Sequence, residues 1–150
     1  LSIDASTCNK YSMFKSLQEN ACIVSKINLE KIKEFSGLKI DSVVFAGGAS
    51  KGELWSQTLA DVLGCVVKIP KVTEATALGA SMAAGVGVGI YKDLQTAAEE
   101  LVEWDKTYKP NTKNHELYNK IQLKWQKAYE VQLNLVDENI TNSMWKAPGL

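Results

Sequence analysis

The segment from Ser42 to Pro70 constrains the fold more than any other part of the chain. Ser42 to Ala46 reads SVVFA, a β-branched and aromatic run stopped by Gly47 and Gly48, and Cys65 to Ile69 reads CVVKI, a second such run stopped by Pro70. Both predict short buried strands. Between them Leu54, Trp55, Thr58, Leu59, Val62 and Leu63 recur at helical spacing, with Ser50 placed as the N-cap and Gly64 as the closing residue. Two strands joined by a helix need a crossover, which makes the pair parallel and the connection right-handed. A two-stranded sheet is marginal alone, and parallel strands are buried on both faces. The unit is therefore expected to belong to a larger α/β sheet whose other strands lie upstream of Leu1 or in another chain.

The flanking segments read as helices. Residues 6–36 carry an apolar stripe at Met13, Leu17, Ala21, Val24 and Ile27, with Ser6 or Thr7 as N-cap. Asn28 is expected to recap the chain and start a short second helix through Leu29, Ile32 and Phe35, stopped by Gly37. After Pro70, Thr73 is expected to cap a third helix from Glu74 to about Ala84, whose Ala, Gly and Ser content allows close packing on a neighbour. An acidic amphipathic helix follows from Asp93 to Trp104, then a linker, DKTYKPNTKN, then a long helix from His115 to Asp137 with a stripe through Tyr118, Ile121, Trp125, Tyr129 and Val136. This divides the chain into an α-β-α-β-α core over 1–91 and a helical extension over 92–150.

Charge and cysteine usage narrow the function classes. Seventeen basic residues balance 17 acidic ones, so no net field attracts nucleic acid or an anionic membrane. Every basic residue is lysine; without arginine, any anion must be held by backbone N–H groups, lysines or hydroxyls. Cys8, Cys22 and Cys65 form neither a CxxC nor a metal-like spacing, and their odd count fits a reducing cytoplasm. The apolar run from Ala77 to Ile90 is shorter than the ~20 residues a bilayer requires, and LSIDASTCNK lacks the features of a secretory signal. Because the chain opens on Leu1 and not on methionine, it is expected to be a piece of something larger.

The segment with chemical potential is Phe45 to Gly52, FAGGASKG, at a strand-to-helix turn. Glycines there admit close backbone approach to a ligand, and the free N–H groups at the start of the next helix favour phosphate. On physics alone the glycine pair is either such an anion nest or a steric device. It is no Walker A loop, since Glu53 stands where the phosphate-binding lysine must follow Gly52. Lys51 is open to two roles, substitute phosphate ligand or solvated surface lysine. Gly85, Gly87 and Gly89 superficially resemble a dinucleotide fingerprint, but a helix and not a strand precedes them, which assigns them to a helix C-terminal turn. Glu74 reads as a carboxylate placed on a helix dipole, and His115 as a capping or packing residue. No catalytic triad, carboxylate pair or metal-ligand set stands out.

The order VVFAGGASKGELWSQTLADVLGCVVKIP followed by EATALGASMAAGVGVGIY resembles the C-terminal domain of the FGGY family of carbohydrate kinases, in the sugar kinase, Hsp70 and actin superfamily. The helix from Met13 to Val24 and the HELY segment from His115 to Tyr118 extend the likeness over the whole chain. KNHELY and the closing WKAPGL are most similar to the autoinducer-2 kinase branch. The resemblance implies the C-terminal part of a ribonuclease H-like α/β domain, helix-rich and with strands missing. It implies an ATP-dependent kinase acting on a hydroxyl of a small sugar-like substrate, such as the autoinducer-2 quorum-sensing signal. A pentulose kinase such as a xylulokinase, or a noncatalytic nucleotide-binding module, are the alternatives. The Gly-Gly turn matches the family's adenosine motif, which implies ATP or ADP contacts from Gly47, Gly48, Ala49, Ser50 and Lys51. The catalytic aspartate, the sugar contacts and most Mg²⁺ contacts are implied to lie before Leu1. The chain alone is expected to be inactive, to depend on that N-terminal part, and to self-associate as a homodimer.

Overall fold

The computed structural model describes residues 8–142, so the expected caps Ser6 and Thr7 and the closing WKAPGL lie outside the described residues. The first helix, α1, runs unbroken from Lys10 to Ser36. Its cap is Asn9, whose side chain accepts from the Tyr11 and Ser12 amides while the Ser12 hydroxyl accepts from the Asn9 N–H at 2.9 Å, a capping box. The expected break at Asn28 does not occur: an interior Asn costs a helix only ~0.7 kcal/mol, too little to break it. Gly37 closes the helix in the left-handed region at φ 67° as expected.

The stripe at Met13, Leu17 and Val24 is also misplaced, since all three are exposed and Cys22, Ile23 and Lys26 are buried instead. Contact with the next helix decides the buried face, and the buried residues fall in the middle turns of α1. Lys26 stays charged-paired with Glu30 at 3.8 Å.

Strand β1 (Ser42–Val44) leads through Gly47 and a single 3₁₀ turn, Gly48–Lys51, into α2 (Glu53–Leu63) and then β2 (Val66–Pro70). β1 and β2 pair in parallel with Ser42 opposite Val66 and Val44 opposite Lys68, and the Phe45 amide continues the ladder to the Lys68 carbonyl. The parallel pairing through a helix is the one the sequence dictates. Val67 and Ile69 alternate inward against Leu59, Val62 and Leu63 of α2, forming the core. Gly64 ends α2 at φ 69°.

Next come α3 (Ala75–Gly87) and α4 (Leu94–Leu101), the latter capped by Asp93, whose carboxylate accepts from the Thr96 amide at 2.8 Å. The acidic helix stops short of Trp104, and the first half of the expected linker is a strand. β3 (Trp104–Tyr108) pairs antiparallel to β2, with Val67 opposite Tyr108 and a bulge at Ile69 and Pro70, giving the order β1-β2-β3. Trp, Thr and Tyr suit a strand, and the intervening Asp105 and Lys106 suit an edge, but only the unpaired side of β2 makes this segment extended. One of the strands the parallel pair needs is thus supplied from within the chain. Among the described residues the outer edge of β1 has no neighbour.

On the sheet face away from α2, Lys68 lies 5.1 Å from the Trp104 ring centroid, and Val44, Pro70, Val72, Leu78, Met82 and Trp104 line an apolar cleft of about 570 Å³. The last helix, α5, spans Thr112–Asp137.

The chain forms two compact units, Leu1–His115 and Glu116–Leu150. The sheet, α1 to α4 and the first turn of α5 belong to the first. Within the second, the Trp125 and Tyr129 rings stack with centroids 5.2 Å apart, and the Ile140 amide returns to the Leu135 carbonyl at 2.9 Å.

Candidate functional site

The C-terminal ends of β1 and β2 lie side by side, the position at which open parallel sheets bind ligands. Gly47 follows β1 at φ 86° and ψ −175°, backbone space that essentially only glycine occupies. That conformation aims its N–H at the Thr73 carbonyl, 2.9 Å away beyond β2. The Gly47 amide is therefore spent on the protein, and Gly47 contributes shape to the turn.

The next two amides, of Gly48 and Ala49, open the 3₁₀ turn and have no acceptor among the described residues. A Cβ built on Gly48 meets nothing within 4 Å, so open space stands over the turn.

Ser50 does not cap α2. It is buried at 4% exposure, its hydroxyl donates to the Gly47 carbonyl at 2.7 Å, and its own carbonyl accepts from the Ser56 hydroxyl at 3.2 Å. The 3₁₀ turn moves the helix start two residues on, leaving Gly52 as N-cap with no side-chain bond. Ser50 thus braces the turn from below. Lys51 is exposed at the end of the 3₁₀ turn and makes no ion pair among the described residues.

Glu53, which occupies the place of a P-loop lysine, pairs with Lys106 of β3 at 2.5 Å. The Lys106 hydrogen bond holds the Glu53 carboxyl below its usual range, and the same bond raises Lys106. Sequence spacing gave no sign of this pair, because it depends on β3.

Thr73 likewise does not cap α3. Its carbonyl accepts the Gly47 and Ala75 amides, and the N-cap is Glu74, exposed and without a capping bond. The glycines from Gly85 to Gly89 form a helix end: Gly89 sits at φ 77°, the Ile90 amide returns to the Gly85 carbonyl at 2.8 Å, and the Tyr91 ring occupies the space a Gly85 side chain would need. His115 packs its ring on Gly64 with Nδ1 2.9 Å from the Asp61 carbonyl oxygen. Asp61, buried beneath it, carries no signal in the sequence that sets it apart from the other polar residues of α2. Among the described residues no three His, Cys, Asp or Glu side chains gather as a metal site.

A glycine turn with two unspent amides at the ends of two parallel strands is an arrangement chemically able to take an anion. The profile of the FGGY family of carbohydrate kinases, C-terminal domain, matches residues 2–88, and the chain belongs to that family.

Over all 150 residues the chain is 57% identical to an autoinducer-2 kinase of Yersinia pestis (strain Pestoides F), 55% to one of Yersinia enterocolitica serotype O:8 and 55% to one of Salmonella paratyphi B. It spans 28% of the length of each.

Among solved structures, a xylulose kinase of Brucella ovis superposes on 89% of this chain and 27% of its own at a TM-score of 0.76 and 16% identity. One of Rhodospirillum rubrum superposes on 90% and 27% at 0.74 and 17%. A glycerol kinase of Plasmodium falciparum, solved with ADP, superposes on 87% and 26% at 0.70 and 20%. The fold is thus the C-terminal part of the ribonuclease H-like domain of sugar kinases.

Proposed function

We propose that the chain is the nucleotide-side part of an ATP-dependent kinase that phosphorylates a hydroxyl of a small sugar-like substrate, autoinducer-2. The observation that carries the nucleotide half is the pair of unspent amides at Gly48 and Ala49 beneath open space. A phosphate or ribose oxygen fits there, because the amides donate and no side chain intervenes. Gly47 and Ser50 hold that turn rigid from the protein side, and Lys51 stands exposed beside it as a mobile cation. ATP, when bound, supplies the γ-phosphoryl group. The general base, the acceptor contacts and the Mg²⁺ ligands belong to the polypeptide that the relatives carry beyond this span. The nucleotide-side core is read over 1–91, supported by the family match ending at residue 88, and the extension 92–150 adds β3 to its sheet.

The acceptor reading is supported by identity of 55–57% to kinases named for autoinducer-2, which makes the reaction a step in processing a quorum-sensing signal. Three free cysteines support a cytoplasmic location, and among the described residues no helix is long and apolar enough to cross a membrane. The test is acceptor-dependent ATP turnover by the intact protein, with autoinducer-2 and xylulose compared. Preference for autoinducer-2 is expected. Preference for xylulose shifts the assignment to a pentulose kinase, and nucleotide binding without transfer to either shifts it to a noncatalytic module.

A further inference from the structure

We infer, on the nucleotide reading above, that Asp61 is a positioning residue: it caps α5 from outside and thereby fixes α2, and with it the Gly48–Ala49 turn, to the corner between β3 and α5. Asp61 is 3% exposed and has no cationic partner among the described residues. A buried carboxylate is tolerated only where donors satisfy it.

Three donors do. Oδ1 accepts from Gln57 Nε2 at 2.8 Å and from the Asn111 amide at 2.8 Å, and Oδ2 accepts from Asn114 Nδ2 at 2.7 Å. Asn111 precedes the first residue of α5, and its side chain accepts the Asn114 amide at 3.2 Å.

In an ordinary capping box the N3 side chain returns to the N-cap amide. Here Asp61, from another helix, takes that amide and holds the N3 side chain as well. α5 has no acidic residue in its own first turn, so the negative charge favoured at a helix N-terminus comes from α2.

Two further bonds close the corner. Gln57 Nε2 also donates to the Lys109 carbonyl at 2.9 Å, and His115 Nδ1 donates to the Asp61 carbonyl at 2.9 Å.

α2 is therefore pinned at both ends. Near its start, fully buried Ser56 bonds the Ser50 carbonyl under the glycine turn; about 7.5 Å along the axis, Asp61 grips the corner. A helix of this length transmits a displacement of one end to the other, so loss of the grip reaches the amides above Ser50.

The test uses the full-length protein and the variants Asp61→Asn, Asn114→Asp and their double swap, with Asn114→Ala as a fourth. Amide hydrogen exchange of residues 109–116 is read without nucleotide, and ADP affinity is read by calorimetry. Each single variant is expected to exchange about tenfold faster or more at Asn111 and His115. Each is expected to bind ADP about fivefold or more weakly, with the acceptor KM unchanged. The double swap restores one amide-to-carboxylate bond across the same gap and is expected to recover both. Asn114→Ala, which only removes a donor, keeps the test readable should Asp61→Asn fail to fold. Wild-type exchange in a folded single variant overturns the outside cap. Faster exchange with unchanged ADP affinity overturns the positioning role. A wild-type protein that binds no ADP overturns the nucleotide reading and the positioning role together, while the cap still stands or falls on exchange.

Discussion

Gly47 donates its amide to the carbonyl of Thr73 at 2.9 Å, which joins the turns after the two parallel strands into one structure. The two adjacent glycines consequently have different jobs. Gly47 holds φ 86°, so Gly47→Ala is expected to lower stability by about 1–3 kcal/mol, read as a fall in thermal midpoint. Gly48 has no positive φ and open space at its Cβ. Gly48→Val should fold with little loss of stability yet place two methyls over the amides. In the intact protein, calorimetry is expected to show weakened ADP binding with unaltered acceptor binding. Unchanged ADP affinity in a folded Gly48→Val variant would remove the turn from the nucleotide site.

A second contact between distant parts of the chain sets the tolerance of Gly64. A Cβ there would lie 2.3 Å from Cε1 of His115, and the residue sits at φ 69°. Gly64→Ala is expected to destabilise through both overlap and strain. Combining it with His115→Ala should recover the overlap and leave about 1–2 kcal/mol from the left-handed backbone. Denaturant melts of the four proteins in that cycle separate the two terms, and a cycle with no coupling would contradict the packing.

The crossover from β1 through α2 to β2 was legible because its signals are local: β-branched runs, a helical repeat and glycine or proline stops within thirty residues. β3 was not, because Asp105 and Lys106 read as linker until the open side of β2 is there to pair with. The same holds for Ser50 and Thr73. Each has the side chain of a cap, but the Gly47 bond to Thr73 and the 3₁₀ turn determine where the helices start. Gly48 and Ala49 could be picked out from sequence as candidate ligand contacts. That Gly47 spends its amide elsewhere, and that Asp61 holds the corner, depends on contacts between residues far apart in the chain.

Burial of two cysteines gives a pH dependence with a definite sign. Burial pushes the Cys22 thiol from its ordinary value near 9 up to about 11, and it also raises Cys65. The fold favours the neutral thiol, so this contribution is complete below the unfolded value. It declines as pH rises from about 9 to about 11. Native protein at pH 8 is expected to be alkylated at Cys8, which is partly exposed, well before Cys22 and Cys65. Mass spectrometry of a timed iodoacetamide reaction checks the order, and modification of Cys22 at the rate of Cys8 would contradict its burial.

On the proposed function, the 150-residue chain alone is expected to show no acceptor-dependent ATP turnover. The candidate site holds binding groups and no base, and general-base catalysis alone contributes roughly 10²–10⁴-fold. Turnover by the purified chain, free of contaminating kinase, would place the chemistry within it.

Self-association of the isolated chain is expected from what its sheet leaves uncovered. β3 protects one side of β2, but among the described residues the outer edge of β1 is unpaired, and Val44 on it is 59% exposed. Leu38, Val72 and the α1 residues Met13, Phe14 and Leu17 are also exposed, which adds apolar surface able to join an interface. An open strand edge is a template for a second strand, and a net charge of zero offers little repulsion. Light scattering at micromolar concentration is expected to give twice the 16.5 kDa chain mass. Val44→Lys, which puts a charge on the open edge, is expected to shift the population toward monomer. A cooperative melt from a strictly monomeric wild-type chain would show instead that three strands and α1 to α4 close a sufficient core unaided.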